Sequence, residues 1–224
     1  MNNLQKRILT SVIILPISIF CILKGGYTLL AYLLSIFFLT NYELFSVFKK
    51  KTIILFLDLI LIISLFSIYY LLEFSSETLY LFLWVLILVI CSDVGGYIFG
   101  KTFKWKKLTK ISPKKTISGV LGSFIFSLGS VFIAQIILPY ASQIFDRIEP
   151  LMINFLEPKF FFLSIIFSLV AQIGDLTISY YKRIEKIKDT GKSLPGHGGI
   201  FDRIDSLVFA VILCLILFKI NLLP

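Results

Sequence analysis

The chain has 224 residues, 58% of them hydrophobic, and this is far more apolar surface than a soluble domain of that size buries, so a soluble globular fold is excluded. A net charge of +9 would suit a nucleic-acid binder, but the basic residues sit between apolar runs, as in the loops of a membrane protein, and no nucleic acid is expected as a partner. Cys21, Cys91 and Cys214 lie in or at the ends of apolar runs without metal-ligand spacing, and read as small packing residues.

A helix needs about 20 mostly apolar residues to cross a hydrocarbon core of about 30 Å. In chain order the candidates are Ile8–Leu23, Tyr27–Phe48, Thr52–Leu72, Leu79–Phe99, Ile117–Leu138, Phe160–Tyr181 and Ile204–Leu223. The expected fold is therefore all-α: a polytopic integral membrane helical bundle of about seven transmembrane helices. The first candidate is short and carries Pro16. Lys6 and Arg7 precede it as in a signal peptide, but no small-residue cleavage site follows, so it reads as a retained span. Residues 1–78 read as N-terminal membrane scaffold, and residues 79–224 as a catalytic membrane region within one integrated domain. Glu43 and Asp58 fall inside or beside scaffold spans, where an ionisable group is a functional hypothesis by default. The bland alternative for Glu43, near its span's end, is snorkelling to the surface. Asp146–Lys159, between Pro139 and Pro158, mixes apolar and charged residues and suggests a short interfacial helix.

Topology accounts for the charge. Of the 22 Lys and Arg residues, 18 fall at the N-terminus, in Lys49–Lys51, in the loop 101–116 and in the loop 182–203. The positive-inside rule puts these segments in the cytoplasm, with the N-terminus in and the C-terminus out. The two long loops then share a face and can form one site.

Gly95–Thr102 reads G-G-Y-I-F-G-K-T and satisfies the pattern of a phosphate-binding loop. That pattern works only between a buried strand and a helix N-terminus. Here it ends an apolar 20-mer with no place for a parallel sheet, so its glycines are expected to serve close helix packing. Asp93, about two helical turns before Lys101, suits either an ion pair or a metal or ribose contact. Ser112, Lys114, Lys115 and Thr116, in S-P-K-K-T, combine hydroxyls with ammonium groups that suit phosphate oxygens.

The next polar cluster is the densest. A helix running through Arg183 places Gln172, Asp175, Ser179 and either Lys182 or Arg183 on one face, which must look into protein or water. Asp202 and Asp205 lie three apart at the start of the last span. Hard oxygen donors of this kind suit Mg²⁺, which keeps several waters and also binds substrate phosphates. Asp–Lys or Asp–Arg pairing within the bundle is the alternative. Pro195–Gly199, P-G-H-G-G, is a backbone-exposed turn. His197 within it is the only histidine of the chain, placed for phosphate contact, proton movement or a helix cap.

These residues resemble the bacterial phosphatidate cytidylyltransferases, or CDP-diacylglycerol synthases. The family's signature, S-x-x-K-R, K-D, L-P-x-H-G-G and D-R-x-D, is matched in spacing by Ser179, Lys182, Arg183, Lys188, Asp189, Leu194, Pro195, His197, Gly198, Gly199, Asp202, Arg203 and Asp205. Upstream, Ser92, Asp93, Gly96, Tyr97, Gly100, Lys101 and Ile111–Thr116 match as well. The resemblance covers Ser92–Gly122 and Gln172–Ser206. Tyr181 stands where an aliphatic residue or Phe is usual, Ser118 where Glu is common, and the N-terminal end is shorter than in many relatives.

The resemblance implies an enzyme that transfers CMP from CTP to phosphatidate, giving CDP-diacylglycerol and pyrophosphate in membrane phospholipid biosynthesis. It implies a metal centre on Asp175 and Asp202 that pairs Mg²⁺ with K⁺ as a second ion, and catalytic positions at Lys188, Asp189, His197 and Asp205. Substrate contacts are expected from Ser92, Asp93, Lys101, Ser112, Lys114, Lys115, Thr116, Ser179, Lys182, Arg183 and Arg203. The expected partners are CTP, phosphatidate and the lipid bilayer, with a homodimer left open. The expected location is the cytoplasmic (inner) membrane, with the active site facing the cytoplasm. Two other classes compete. A CTP-dependent lipid kinase of the polyprenol or phytol type would need a base for its alcohol nucleophile. A transporter would need interrupted helices near the bilayer centre.

Overall fold

A computed structural model describes residues 3–109, 111–144, 149–196 and 198–224, and it is helical throughout apart from loops and two isolated backbone bridges. The helices are α1 (Asn3–Lys24), α2 (Gly26–Val47), α3 (Lys51–Glu73), α4 (Ser76–Phe103), α5 (Ile117–Ile137), the short α6 (Ala141–Ile144), α7 (Pro158–Ile184) and α8 (Phe201–Lys219). The all-helical expectation holds, and the seven long helices correspond one to one with the seven apolar runs.

Five stretches, Gly26–Val47, Lys51–Glu73, Ser76–Phe103, Ile117–Gln143 and Pro158–Ile184, are long and apolar enough to cross a membrane by length and composition. The apolar part of α1 is the shorter Leu9–Lys24. In α8, Asp202, Arg203 and Asp205 crowd the first two turns and cut into its apolar length. With large side chains such as Phe38, Phe45, Phe66, Phe132 and Phe162 exposed on the outer faces, the molecule is built for a hydrocarbon surround and is an integral membrane protein.

The boundaries follow local chemistry. Ser75 caps α4 by a reciprocal box with Thr78, accepting its N–H at 3.1 Å. α4 runs four residues past the expected Phe99 and stops at Lys104, whose left-handed φ of 50° ends the helix. Pro158 opens α7, where its missing N–H costs nothing. The expected interfacial helix in Asp146–Lys159 is not formed over its described part. Residues 149–157 are irregular, with the Phe155 N–H donating to Gln135 Oε1 at 2.8 Å, and Pro158 and Lys159 already belong to α7. Asp146, Arg147 and Ile148 lie outside the described residues.

The core is an aromatic knot. Trp84 packs against Phe155, Phe160 and Phe167 with ring centroids 5.8, 5.2 and 5.4 Å apart, and all four are fully buried. α4 and α5 pack closely through glycines on their facing sides. A Cβ on Gly119 would stand 2.9 Å from the Gly96 carbonyl oxygen, and one on Gly100 would stand 3.1 Å from Thr116 Oγ1. This is the close approach expected of the glycines in the false phosphate-loop pattern.

The helices alternate in direction. One end of the bundle gathers the start of α1, the α2–α3 turn, the α4–α5 loop and the α7–α8 loop. There Arg7 Nε donates to the Gly196 carbonyl at 2.7 Å, and Glu185 accepts the Lys50 N–H at 3.0 Å. At the other end Glu73 accepts the Gly26 N–H at 3.0 Å, and Lys219 Nζ donates to Tyr70 Oη at 2.7 Å.

Candidate active site

The loop-bearing end holds a polar cavity of about 490 Å³ between α4, α5, α7, α8 and the two long loops. Its lining includes Asp93, Ser112, Lys114, Lys115, Thr116, Asp175, Lys182, Asp189, Asp202, Arg203 and Asp205. The two motif regions, Ser92–Gly122 and Gln172–Ser206, therefore meet in one site.

Each loop is shaped by its own hydrogen bonds. In the first, the Leu108 N–H donates to Lys115 O at 2.8 Å and the Ile117 N–H to Lys106 O at 3.0 Å, so the loop folds back on itself. The turn at Ser112–Lys115 is closed by the Lys115 N–H on Ser112 O at 3.0 Å. Thr116 Oγ1 caps α5 by accepting the Gly119 N–H at 3.1 Å, and Ser118 Oγ lies 3.0 Å from the same hydroxyl. Ser118, where relatives of the resembled family often carry Glu, is thus committed to the cap and buried.

α7 is helical through Ile184, so the anticipated polar face forms: Gln172, Asp175 and Lys182 all line the cavity. Asp175 Oδ2 pairs with Lys115 Nζ at 2.6 Å and Oδ1 accepts from Ser179 Oγ at 3.3 Å. Lys115 Nζ also reaches the Gln172 carbonyl at 3.5 Å. On α8, Asp202 Oδ1 pairs with Lys182 Nζ at 2.7 Å, while Oδ2 accepts the Thr190 and Gly199 N–H groups at 2.7 and 3.2 Å. Asp205 lines the cavity one turn further, its Oδ1 accepting the Ser206 N–H at 2.9 Å. The result is a cavity in which carboxylates from α4, α7 and α8 alternate with ammonium and guanidinium groups.

Several anticipated residues stand off the cavity. Ser92 is buried between helices, its Oγ 2.7 Å from Ser168 Oγ and its carbonyl accepting Ser123 Oγ at 2.8 Å. Ser179 sits behind Asp175. Arg183 bridges the two loops, donating from Nε to Ile111 O and from Nη1 to Ile187 O, both at 3.2 Å. Lys101 stacks near Tyr97, with Nζ 5.6 Å from the ring centre, and Lys188 is exposed outside the lining. His197 lies outside the described residues. The lining also takes in Gly119, Val120, Ser123 and Ser206, none of which is among the expected substrate, catalytic or metal contacts.

The carboxylates are seats for positive charge, since Asp175 and Asp202 each hold an ammonium nitrogen within 2.7 Å. Among the described residues no group of three His, Cys, Asp or Glu side chains forms a closed metal cage. Separate carboxylates around a roomy cavity fit a hydrated hard cation completed by substrate oxygens better than a dehydrated structural ion.

An all-helical membrane bundle with a mixed carboxylate and ammonium cavity at one end defines a class, the integral membrane proteins with a site suited to phosphate chemistry. The chain belongs to the cytidylyltransferase family, which residues 48–221 match. It is similar to the phosphatidate cytidylyltransferase of Rickettsia conorii, 32% identical over 232 aligned residues that cover 99% of this chain and 93% of that one. It is also similar to the phosphatidate cytidylyltransferases of Staphylococcus saprophyticus, 40% identical over 63% of this chain, and Helicobacter pylori, 39% identical over 58% of it. Those two matches span about half the length of the relatives, 50% and 44%. The family expected from the motifs is the one found.

Proposed function

We propose that the chain transfers CMP from CTP to phosphatidate, releasing pyrophosphate and leaving CDP-diacylglycerol in the membrane. The observation that carries this reading is the convergence of Lys114, Lys115, Lys182 and Arg203 with Asp93, Asp175, Asp202 and Asp205 on one cavity at the loop-bearing end.

The chemistry suits that lining. A phosphate oxygen of phosphatidate attacks the α-phosphorus of CTP, the new P–O bond forms, and the bond to the β-phosphate oxygen breaks with its electron pair leaving on pyrophosphate. A phosphate monoester has a second pKa of about 6, so the nucleophile is already largely ionised at pH 7 and no strong general base is required. The obstacle is bringing polyanions together, and cations aimed at the transferring group are the general solution. Lys114, Lys115, Lys182 and Arg203 would hold the phosphates. Asp175 and Asp202 would hold Mg²⁺, with K⁺ as a second ion, and bound Mg²⁺ would neutralise charge building on the leaving pyrophosphate.

Seven spans, with the N-terminus in and the C-terminus out, are the topology we assign. The alternating helix directions support it, as does the gathering of the basic segments at the end that bears the cavity. The site then faces the cytoplasm from the inner membrane, and the lipid tails of phosphatidate enter from the cytoplasmic leaflet.

The test is incubation of the purified chain with Mg²⁺, CTP labelled at either the α- or the γ-phosphate, and either phosphatidate or a polyprenol as acceptor. Transfer of α-label to lipid is expected. Transfer of γ-label instead would overturn the reading in favour of a lipid kinase.

A further inference from the structure

We propose that Glu43, on the scaffold helix α2, is a positioning residue that sets the path of the α7–α8 loop, and through it the cavity side chains of Asp189, Asp202, Arg203 and Asp205. Glu43 does not snorkel: it is 2% exposed and turned into the bundle. Its Oε1 accepts the Ser193 N–H at 3.0 Å and its Oε2 accepts the Ile200 N–H at 2.8 Å. The two donors flank the P-G-H-G-G turn, so one carboxylate closes the base of that turn from both sides. A carboxylate buried beside a membrane span is costly unless its oxygens are satisfied, and two charge-assisted bonds to backbone amides satisfy them.

The loop is moulded to this side chain. A Cβ on Gly199 would stand 2.9 Å from Glu43 Oε2, and a Cβ on Gly191 would run into the Glu43 carboxyl group. At Gly191 glycine is required by the approach of Glu43, whereas at Gly199 a Cβ would first meet Thr190 Oγ1 and the Gly191 backbone nitrogen, with Glu43 Oε2 behind them. Gly199 and Ile200 are consecutive, and their N–H groups go to opposite sides: Gly199 to Asp202 at 3.2 Å, Ile200 to Glu43 at 2.8 Å. The chain is thus gripped between a cavity carboxylate and a scaffold carboxylate just before α8 begins. α1 adds two ties to the same turn, Arg7 Nε on Gly196 O at 2.7 Å and Thr10 Oγ1 on Pro195 O at 3.1 Å. Glu43, Arg7 and Thr10 all precede residue 48, where the family match begins.

Supporting groups of this kind hold site residues in register, and losing one typically costs 10- to 100-fold in activity. In Glu43→Gln the shape is kept, but one oxygen becomes an NH₂ that faces an N–H, so one tie becomes a clash of donors. Glu43→Asp keeps the charge on a shorter arm.

The test uses the full chain, comparing backbone hydrogen exchange with CMP transfer in the two variants. Only the activity arm rests on the proposed CMP transfer. In Glu43→Gln, exchange over 190–200 is expected to rise at least about tenfold while α4 and α7 keep wild-type rates, and kcat is expected to fall about 10- to 100-fold, more than KM rises. Glu43→Asp should fall between Glu43→Gln and wild type in both readouts. Wild-type loop exchange in Glu43→Gln would overturn the proposal. So would faster loop exchange with an unchanged kcat, or equal acceleration across α4, α7 and the loop in both variants, which would make Glu43 a general stabiliser. If the wild-type chain transfers no CMP at all, the proposed function fails, and the exchange measurement still decides whether Glu43 holds the loop.

Discussion

Lys182 Nζ lies 2.7 Å from Asp202 Oδ1, joining the last turns of α7 to the first turn of α8 through a pair whose side chains are 11% and 8% exposed. Asp202 does two things at once, because its second oxygen takes the Thr190 and Gly199 N–H groups. Breaking one side of a buried pair leaves an uncompensated charge and costs about 3–5 kcal/mol. Asp202→Asn is therefore expected to abolish CMP transfer and to lower the Tm, with the protein still folded and inserted. Activity and thermal unfolding in detergent check this; a wild-type Tm would separate Asp202 from the loop.

Asp175 differs in having a more open pair with Lys115, at 2.6 Å. Asp175→Asn should leave folding intact and lower turnover at least about 100-fold, the usual cost of removing one electrostatic contributor to a charged transition state. Turnover at saturating Mg²⁺ is the measurement, and a wild-type rate would remove Asp175 from the metal assignment.

Thr102 belongs to α4 and donates its hydroxyl to Ile98 O at 2.8 Å, as an exposed helical threonine does. In a true phosphate-binding loop the last Thr reaches Mg²⁺. Thr102→Ala should keep most activity and leave the Mg²⁺ dependence unchanged. Lys101→Ala should reduce activity more, because Lys101 packs on Tyr97 and Tyr97 lines the cavity. A steep rise in Mg²⁺ requirement for Thr102→Ala would refute this arrangement.

Gly122 is packed against Gly95 and Phe99 across the α4–α5 seam, with no room for a Cβ beside the Gly95 carbonyl. Gly122→Ala should destabilise by about 1–3 kcal/mol through overpacking. Activity should fall with it, since Asp93 and Thr116 lie on the two sides of that seam. Thermal unfolding with and without CTP would show whether stability and site geometry are lost together.

The exposed Lys107 and Ser193, one on each long loop, report sidedness. Lys107→Cys and Ser193→Cys, in a background without Cys21, Cys91 and Cys214, should be protected from an impermeant reagent added outside intact cells. Rapid labelling of either would overturn the cytoplasmic placement of the site.

Much of this protein was legible from sequence by itself. The seven apolar runs became seven long helices, because a helix satisfies its backbone internally and only an apolar exterior suits hydrocarbon. The spacing of Gln172, Asp175 and Lys182 foretold one polar face, because helical periodicity is local. The G-G-Y-I-F-G-K-T stretch was recognisable as helix from its apolar context, and the family from the spaced motifs. What tertiary structure alone decided were the partnerships across the bundle. Lys115 on Asp175, Lys182 on Asp202, Arg183 on Ile111 and Glu43 on Ser193 and Ile200 join residues 20 to 157 positions apart. No local pattern encodes such distances; they depend on which helices pack and at what depth. Glu43 shows the difference best. The sequence marked it as an ionisable group in an apolar run, and packing determined that its carboxylate turns inward to backbone amides, because those buried N–H groups and that buried charge each need the other.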